Sequence, residues 1–202
     1  MDSRRARKKL LTRQKIADAA IALFLRQGYD ETTVAQIAAA ADVDPKTFFN
    51  YFGSKDEVVF AADAYDDPLV VREPDETPGE WLVRVIDGYD ERFVPARPAP
   101  DPAGQAALSR LILTTPALQA KLQSLLHDLQ RRLADALAAE FPELDEVTAA
   151  AMTGSLVGAL YQAALVAIQR GRSRQEVRDA TRRARDIALH GLMNTGNGKG
   201  KP

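Results

Sequence analysis

Residues 33–58 read TVAQIAAAADVDPKTFFNYFGSKDEV, and the organisation of the N-terminal third turns on them. Thr32 and Thr33 supply a hydroxyl cap for a short helix with Val34, Ile37, Ala38 and Ala41 along one face. Asp44-Pro45 is a second start signal, a capping carboxylate followed by proline at the first helical position. That second helix runs to about Tyr51 or Phe52, where Gly53-Ser54 interrupts it, and only Ala41-Asp42-Val43 joins it to the first. Ser54 then caps a further helix, with Glu57 three residues on to complete a capping box. Two short helices so closely joined have the spacing of a helix-turn-helix, whose second helix enters the major groove of DNA. Lys46, Thr47, Asn50 and Tyr51 are donors suited to base edges or phosphates, and Lys55 stands where free helix N–H groups and its own charge favour a phosphate. Phe48 and Phe52, four apart, would hold the second helix onto its neighbours. The competing reading is an arbitrary pair of short helices with solvated polar residues.

Outward from this stretch the periodicity stays helical, and alternating strand patterns are absent. Upstream, Ile16, Ala20, Leu23 and Phe24 predict a helix over 4–27 that stops at Gly28. Downstream, an acidic, proline-bearing connector (68–79) precedes a helix from Glu80 to Phe93, and the proline-rich stretch 95–102 reads as a loop. A short helix over 105–113 and a long amphipathic one through Leu118, Leu122, Leu125 and Leu129 to about Phe141 follow. In the next helix, 143–169, Val147, Ala151, Gly154, Gly158, Tyr161, Leu165 and Ile168 form a heptad seam. Leu156, Leu160, Ala164 and Ala167 add a second apolar stripe, which predicts a buried helix. A last helix covers about 173–193, and 194–202 reads as a flexible tail. The expectation is an all-α chain of about nine helices: a three-helix DNA-binding domain at 1–55 with a basic N-terminal arm, and a larger helical domain at 56–193.

Composition narrows the chemistry. The chain has 202 residues, 46% of them hydrophobic, with no cysteine and two histidines, His127 and His190. Disulfides, thiolate zinc sites, iron–sulfur clusters and a cysteine nucleophile are excluded, and a multi-histidine metal centre is out of reach. No uninterrupted apolar run approaches membrane-spanning length and no signal peptide is visible, so a cytoplasmic protein without a membrane partner is expected. The net charge of −1 hides a segregation: residues 1–15 carry seven bases against Asp2, whereas 56–91 carry twelve acids against Arg72 and Arg84. Such asymmetry points to a polyanion partner for the first segment, although two ordinary solvated faces give the same count. With no phosphate loop, nucleophile elbow or metal cluster, neither an enzyme nor a cofactor is expected. An all-α enzyme and a helical adaptor remain as alternatives.

Taken together, residues 33–58 and the preceding stretch from Ile16 to Tyr29 resemble the DNA-binding region of the TetR family of bacterial transcriptional regulators. Beyond that region the likeness is one of helical layout and length. The resemblance implies that Thr33 caps the first motif helix and touches a phosphate, that Thr47 is a recognition-helix contact, and that Tyr51 and Lys55 bind phosphate. Two departures stand out. Phe49 replaces a common tyrosine and loses a phosphate-binding hydroxyl, for which Tyr51 can compensate. Asp42 replaces the usual glycine of the turn, and aspartate is among the few residues that tolerate the left-handed region. With Lys46 and Asn50, these residues make up the expected DNA-binding set.

The resemblance further implies a homodimer on double-stranded operator DNA, most often a repressor, that releases the DNA when a small-molecule effector binds its C-terminal domain. The last two long helices are the expected dimer interface, through Ala151, Gly154, Gly158, Tyr161, Leu165, Ile187 and Gly191. Trp81, Tyr89, Phe93, His127, Met152, Tyr161 and Gln162 combine aromatic area with hydrogen-bonding tips and are the pocket candidates. His127 sits among leucines, which also fits a structural histidine.

Overall fold

The computed structural model describes residues 2–60, 71–93 and 102–195, and among these every regular element is helical. The elements are α1 (Asp2–Gln27), α2 (Val34–Ala40), α3 (Pro45–Phe49), α4 (Lys55–Val59), α5 (Pro78–Phe93), α6 (Pro102–Thr114), α7 (Pro116–Glu140), α8 (Glu146–Gln169) and α9 (Arg174–Thr195). Pro102, the last residue of the expected loop at 95–102, opens α6, and 194–195 of the expected tail at 194–202 close α9; the rest of both, with the first part of the connector (68–70), lies outside the described residues. So do the side chains of Tyr89 and Phe93 and the surroundings of Gly191, whose backbones lie in α5 and α9.

The chain divides into two compact units, 1–64 with 94–121, and 65–93 with 122–202. The division differs from the expected cut at 55: α4 belongs with α1–α3, and α6 returns to pack on α1. In the first unit α1 buries Ile16, Ala20 and Phe24, α2 buries Ile37 and Ala38, and α3 and α4 contribute Phe48 and Val58. The basic residues from Asp2 onward continue α1 as helix, so the expected arm is not a separate segment.

In the second unit Trp81, Leu82 and Val85 of α5 meet Leu129, Leu133 and Leu137 of α7, together with Phe141 and the Ala149, Met152 and Leu156 face of α8. Leu129, Leu133 and Leu137 recur every four residues, so one stripe of α7 supplies the packing. Trp81 and Phe141 meet edge to face at 6.3 Å. Ahead of α5, Arg84 pairs with Glu76 through two bonds of 2.7 Å, and the Arg72 guanidinium covers the Phe141 ring at 4.1 Å. Asp145 caps α8 by accepting the Thr148 N–H at 2.7 Å. The turn into α9 places Gly171 at φ +67, where Arg172 N–H reaches Ala167 O and Gly171 N–H reaches Ile168 O.

Two expectations for α8 need correction. Leu156 and Ala167 are buried and Leu160 and Ala164 half-buried, but the seam is less covered: Val147 is 78% exposed, Ala151 is exposed, and Gly154, Gly158, Tyr161, Leu165 and Ile168 are half-buried. The helix also reaches a mean hydropathy of 1.6 over a window of membrane-spanning length, which a count of uninterrupted apolar residues overlooks. Length and composition alone do not separate a spanning helix from the core helix of a globular unit, and one face of α8 serves as such a core here.

The turn after α2 repeats the glycine pattern with a different residue. Asp42 stands at φ 52, its N–H reaching Ala39 O at 3.1 Å while Val43 N–H reaches Ala38 O at 3.0 Å. Aspartate bears some left-handed strain there that glycine avoids, and its ion pair with Lys15 is exposed and 3.4 Å long, hence weak. Asp42→Gly is expected to raise the unfolding free energy of the chain by about 0.5–1 kcal/mol. A denaturant midpoint that falls instead would show that the carboxylate, not the backbone, governs this turn.

Candidate nucleic-acid interface

The interface is built from two caps and a hydrophobic anchor. Thr33 accepts the Gln36 N–H at 3.2 Å, and the Gln36 side chain accepts the Thr33 N–H at 2.8 Å, a complete capping box that opens α2. Asp44 opens α3 by accepting the Thr47 N–H at 2.7 Å and the Thr47 hydroxyl at 2.9 Å. These bonds, above all the Thr47 N–H, hold the exposed Asp44 carboxyl below its ordinary pKa. The cap is therefore complete at neutral pH and is lost only as acid drives the pH down through that lowered value. Phe48 and Phe52 are buried, their rings 5.7 Å apart, and they fix the inner side of α3 and the turn after it.

What remains outside is one surface. Lys46, Phe49 and Asn50 are exposed, and their spacing of three and four puts them on one side of a helical turn. Thr33 is exposed at the start of α2, whereas Thr47 and Tyr51 are half-buried. The helix is shorter than the sequence suggests: α3 ends at Phe49, Asn50 is its C-cap, and Tyr51 N–H turns back to Phe48 O. Thr47 spends its hydroxyl proton on Asp44, so towards a base or phosphate it is left as an acceptor.

Lys55, the phosphate ligand that resemblance suggests, also makes bonds within its own unit. Its Nζ donates to Tyr29 O at 2.8 Å and Thr32 O at 3.2 Å, and it lies 4.1 Å from the centre of the Tyr29 ring. Burial, reinforced by Asp56 and Asp30, pushes the Tyr29 hydroxyl up to about 12, so the ring beneath the ammonium stays neutral. Lys55 thus ties the start of α4 to the loop that delivers Thr33. One expectation for α4 itself needs correction. Ser54 makes no side-chain cap bond, and the Glu57 carboxylate accepts the Gly53 N–H at 2.8 Å instead of closing a box on Ser54.

The pocket candidates among the described residues differ in setting. Trp81 and Met152 are packed into the core of the second unit, Tyr161 is half-buried, and Gln162 is exposed. His127 is exposed rather than enclosed by leucines, and it lines an open groove of about 500 Å³ with Arg131, Asp135, Glu146, Ala150 and Gly154. Thr153 was missed by sequence reasoning: it is fully buried, and its Oγ1 has no hydrogen-bond partner. Of the seam residues, Ala151 and Ile187 are exposed and Gly154, Gly158, Tyr161 and Leu165 are half-buried.

Comparison with known proteins places this geometry. Residues 16–62 match the family model for bacterial regulatory proteins of the tetR family. An HTH-type transcriptional regulator of Streptomyces glaucescens, TcmR, is 38% identical over 70% of this chain and 66% of its own length. The matched part thus spans just under two thirds of that relative. An uncharacterised HTH-type regulator of Mycobacterium bovis is 30% identical over 79% of this chain and 73% of its own. The chain belongs to the TetR family. A crystal structure assigned to the TetR-family regulators of Mesorhizobium loti shares the fold, with a TM-score of 0.51 at 18% identity, covering 93% of this chain and 97% of that one. TetR-family regulators bind operator DNA and act as dimers.

Lys55 offers a test of the local architecture. Lys55→Met keeps the stem over Tyr29 but leaves two loop carbonyls without their cation, and is expected to cost about 1–3 kcal/mol in denaturant unfolding. A variant within 0.5 kcal/mol of the parent, a margin about the size of an ordinary surface substitution, would mean that these bonds hold nothing in place.

Proposed function

We propose that this TetR-family chain is a homodimeric, cytoplasmic repressor that binds double-stranded operator DNA and is released from it by a small-molecule effector. The observation that carries the reading is the single exposed surface of Lys46, Phe49 and Asn50, held between the Asp44 cap and the buried Phe48 and Phe52. A helix so short has nothing else to present, and its outer side chains suit a major groove. Asn50 reads base edges, Lys46 and the bases at the start of α1 neutralise phosphates, and Thr33 adds a contact at the head of α2.

Dimerisation rests on the apolar side of α8 and on Ile187 of α9, which is 73% exposed in the single chain. Gly154 and Gly158 carry no side chain on that side of the helix, and a Cβ at either would meet nothing within 4 Å, so a partner helix can approach closely. The effector binds in the second unit, where the unpartnered Thr153 hydroxyl can receive a polar group of the ligand. Release follows from linkage: the effector binds the state of low operator affinity more tightly, and that ratio sets the loss of DNA binding.

The DNA test uses labelled duplexes from the region flanking the chain's own coding sequence. Fluorescence anisotropy should show binding that weakens steeply with salt. Lys46→Ala should lower affinity alike on all sequences and reduce the salt slope by about 1, while Asn50→Ala should relax preference at one base pair per half-site. Indifference to duplex DNA at low ionic strength would end the reading. For the interface, Ile187→Glu should convert the dimer to a monomer in light scattering with unchanged helical circular dichroism. A variant that stays dimeric would move the interface elsewhere.

A further inference from the structure

Phe49 stands apart from the other aromatic residues of its unit. Phe24, Phe48 and Phe52 are buried, as is Tyr29, whereas Phe49 is 57% exposed. An isolated exposed apolar side chain carries little meaning. This one shares its side of α3 with Lys46 and Asn50, which makes it part of the outer surface of the motif. Its ring is also held in place: it meets Phe48 edge to face, with centres 5.4 Å apart and planes at 86°, and Phe48 is itself fixed in the core.

A phenyl ring cannot donate a hydrogen bond to a phosphate. What it offers is apolar area, and the apolar group that a major groove displays is the methyl on C5 of a pyrimidine. We infer that Phe49 is a specificity-determining residue that reads a pyrimidine 5-methyl group, that of thymine, in each operator half-site. The inference rests on the DNA-binding reading above and deepens it by naming what one side chain recognises. A neighbouring Asn50 suits adenine, whose partner is thymine, so the two contacts favour A·T pairs at adjacent positions. The same methyl occurs on 5-methylcytosine, which the test separates.

The experiment uses the full chain and the duplex it protects in a footprint of its own upstream DNA. Each thymine of the protected site is replaced in turn by deoxyuridine, which removes the methyl and nothing else. At one thymine per half-site, the replacement should weaken binding about fourfold, the loss expected for one buried carbon. Phe49→Ala should bind the thymine and deoxyuridine duplexes equally at that position while keeping its circular dichroism and its preference elsewhere. A duplex with cytosine at that position should bind more weakly, and 5-methylcytosine should restore part of the loss if the methyl alone is read. If the cytosine and 5-methylcytosine duplexes bind equally weakly, a methyl at that position is not what the ring reads, and the inference falls. Wild-type affinity unchanged within twofold for every deoxyuridine duplex overturns the inference, as does a Phe49→Ala protein that still prefers thymine. Absence of any footprint is the different result that ends the regulator reading itself.

Discussion

Two helices can share a three-residue turn only if the same few backbone groups close one and open the other. Between Ala41 and Asp44 this condition is met. The α2 carbonyls of Ala38 and Ala39 are satisfied by the N–H groups of Val43 and Asp42, which forces Asp42 into the left-handed region. One residue later the Asp44 side chain takes up an N–H of α3. No slack remains for α3 to roll, because Phe48 and Phe52 are buried on the side opposite Lys46 and Asn50. The direction of the outer surface therefore follows from backbone hydrogen bonding and two aromatic anchors. The polar residues that face outward were free to vary in type without disturbing it.

Lys55 extends the same logic to the head of α2. The loop from Gly28 to Thr33 must end one helix, bend and present a cap, and its carbonyls point into a region that water reaches poorly. An ammonium group supplies donors there, and Tyr29 supplies a neutral ring beneath it. Thr32 helps by donating its hydroxyl to Gly28 O at 2.7 Å. The result is a cation used for architecture, as Arg13 also is where its guanidinium lies over the Phe52 ring at 5.4 Å. On the regulator reading, the phosphate charge is then met chiefly by the bases of α1 and by Lys46.

Much of this was legible in the sequence because it is local. Thr33 ahead of α2 and Asp44 ahead of Pro45 are caps whose partners lie within three residues, and each forms as its spacing suggests. Where a local pattern had a rival, it misled. Glu57 sits three residues after Ser54, but the Gly53 N–H one residue earlier takes the carboxylate. Non-local placement was beyond reach of periodicity. Lys55 finds carbonyls 23 and 26 residues away. Trp81 and Met152 look like pocket furniture by type, yet they sit in the core because α5, α7 and α8 converge there. His127 has leucines as sequence neighbours, but its own side of α7 is the open one.

The open side of α8 raises a question that a single chain does not answer by itself. A helix apolar around most of its circumference needs cover on more than one side; α5 and α7 meet its buried face and α9 packs along it, which leaves the stretch through Val147 and Ala151 exposed. The other side shows the pattern of a contact surface: small residues at Ala151, Gly154 and Gly158, flanked by Val147 and Leu165. Lipid would reward a uniform hydrocarbon face, and glycines in the middle of that face give lipid little to hold. A second helix rewards them, since close backbone approach multiplies packing contacts along the seam. α9 argues the same way, because it sets Ile187 beside arginines that a hydrocarbon environment would penalise and an aqueous dimer rim accommodates. The composition that makes α8 pass as a membrane span is, on the dimer reading proposed above, the composition of a helix shared between two subunits.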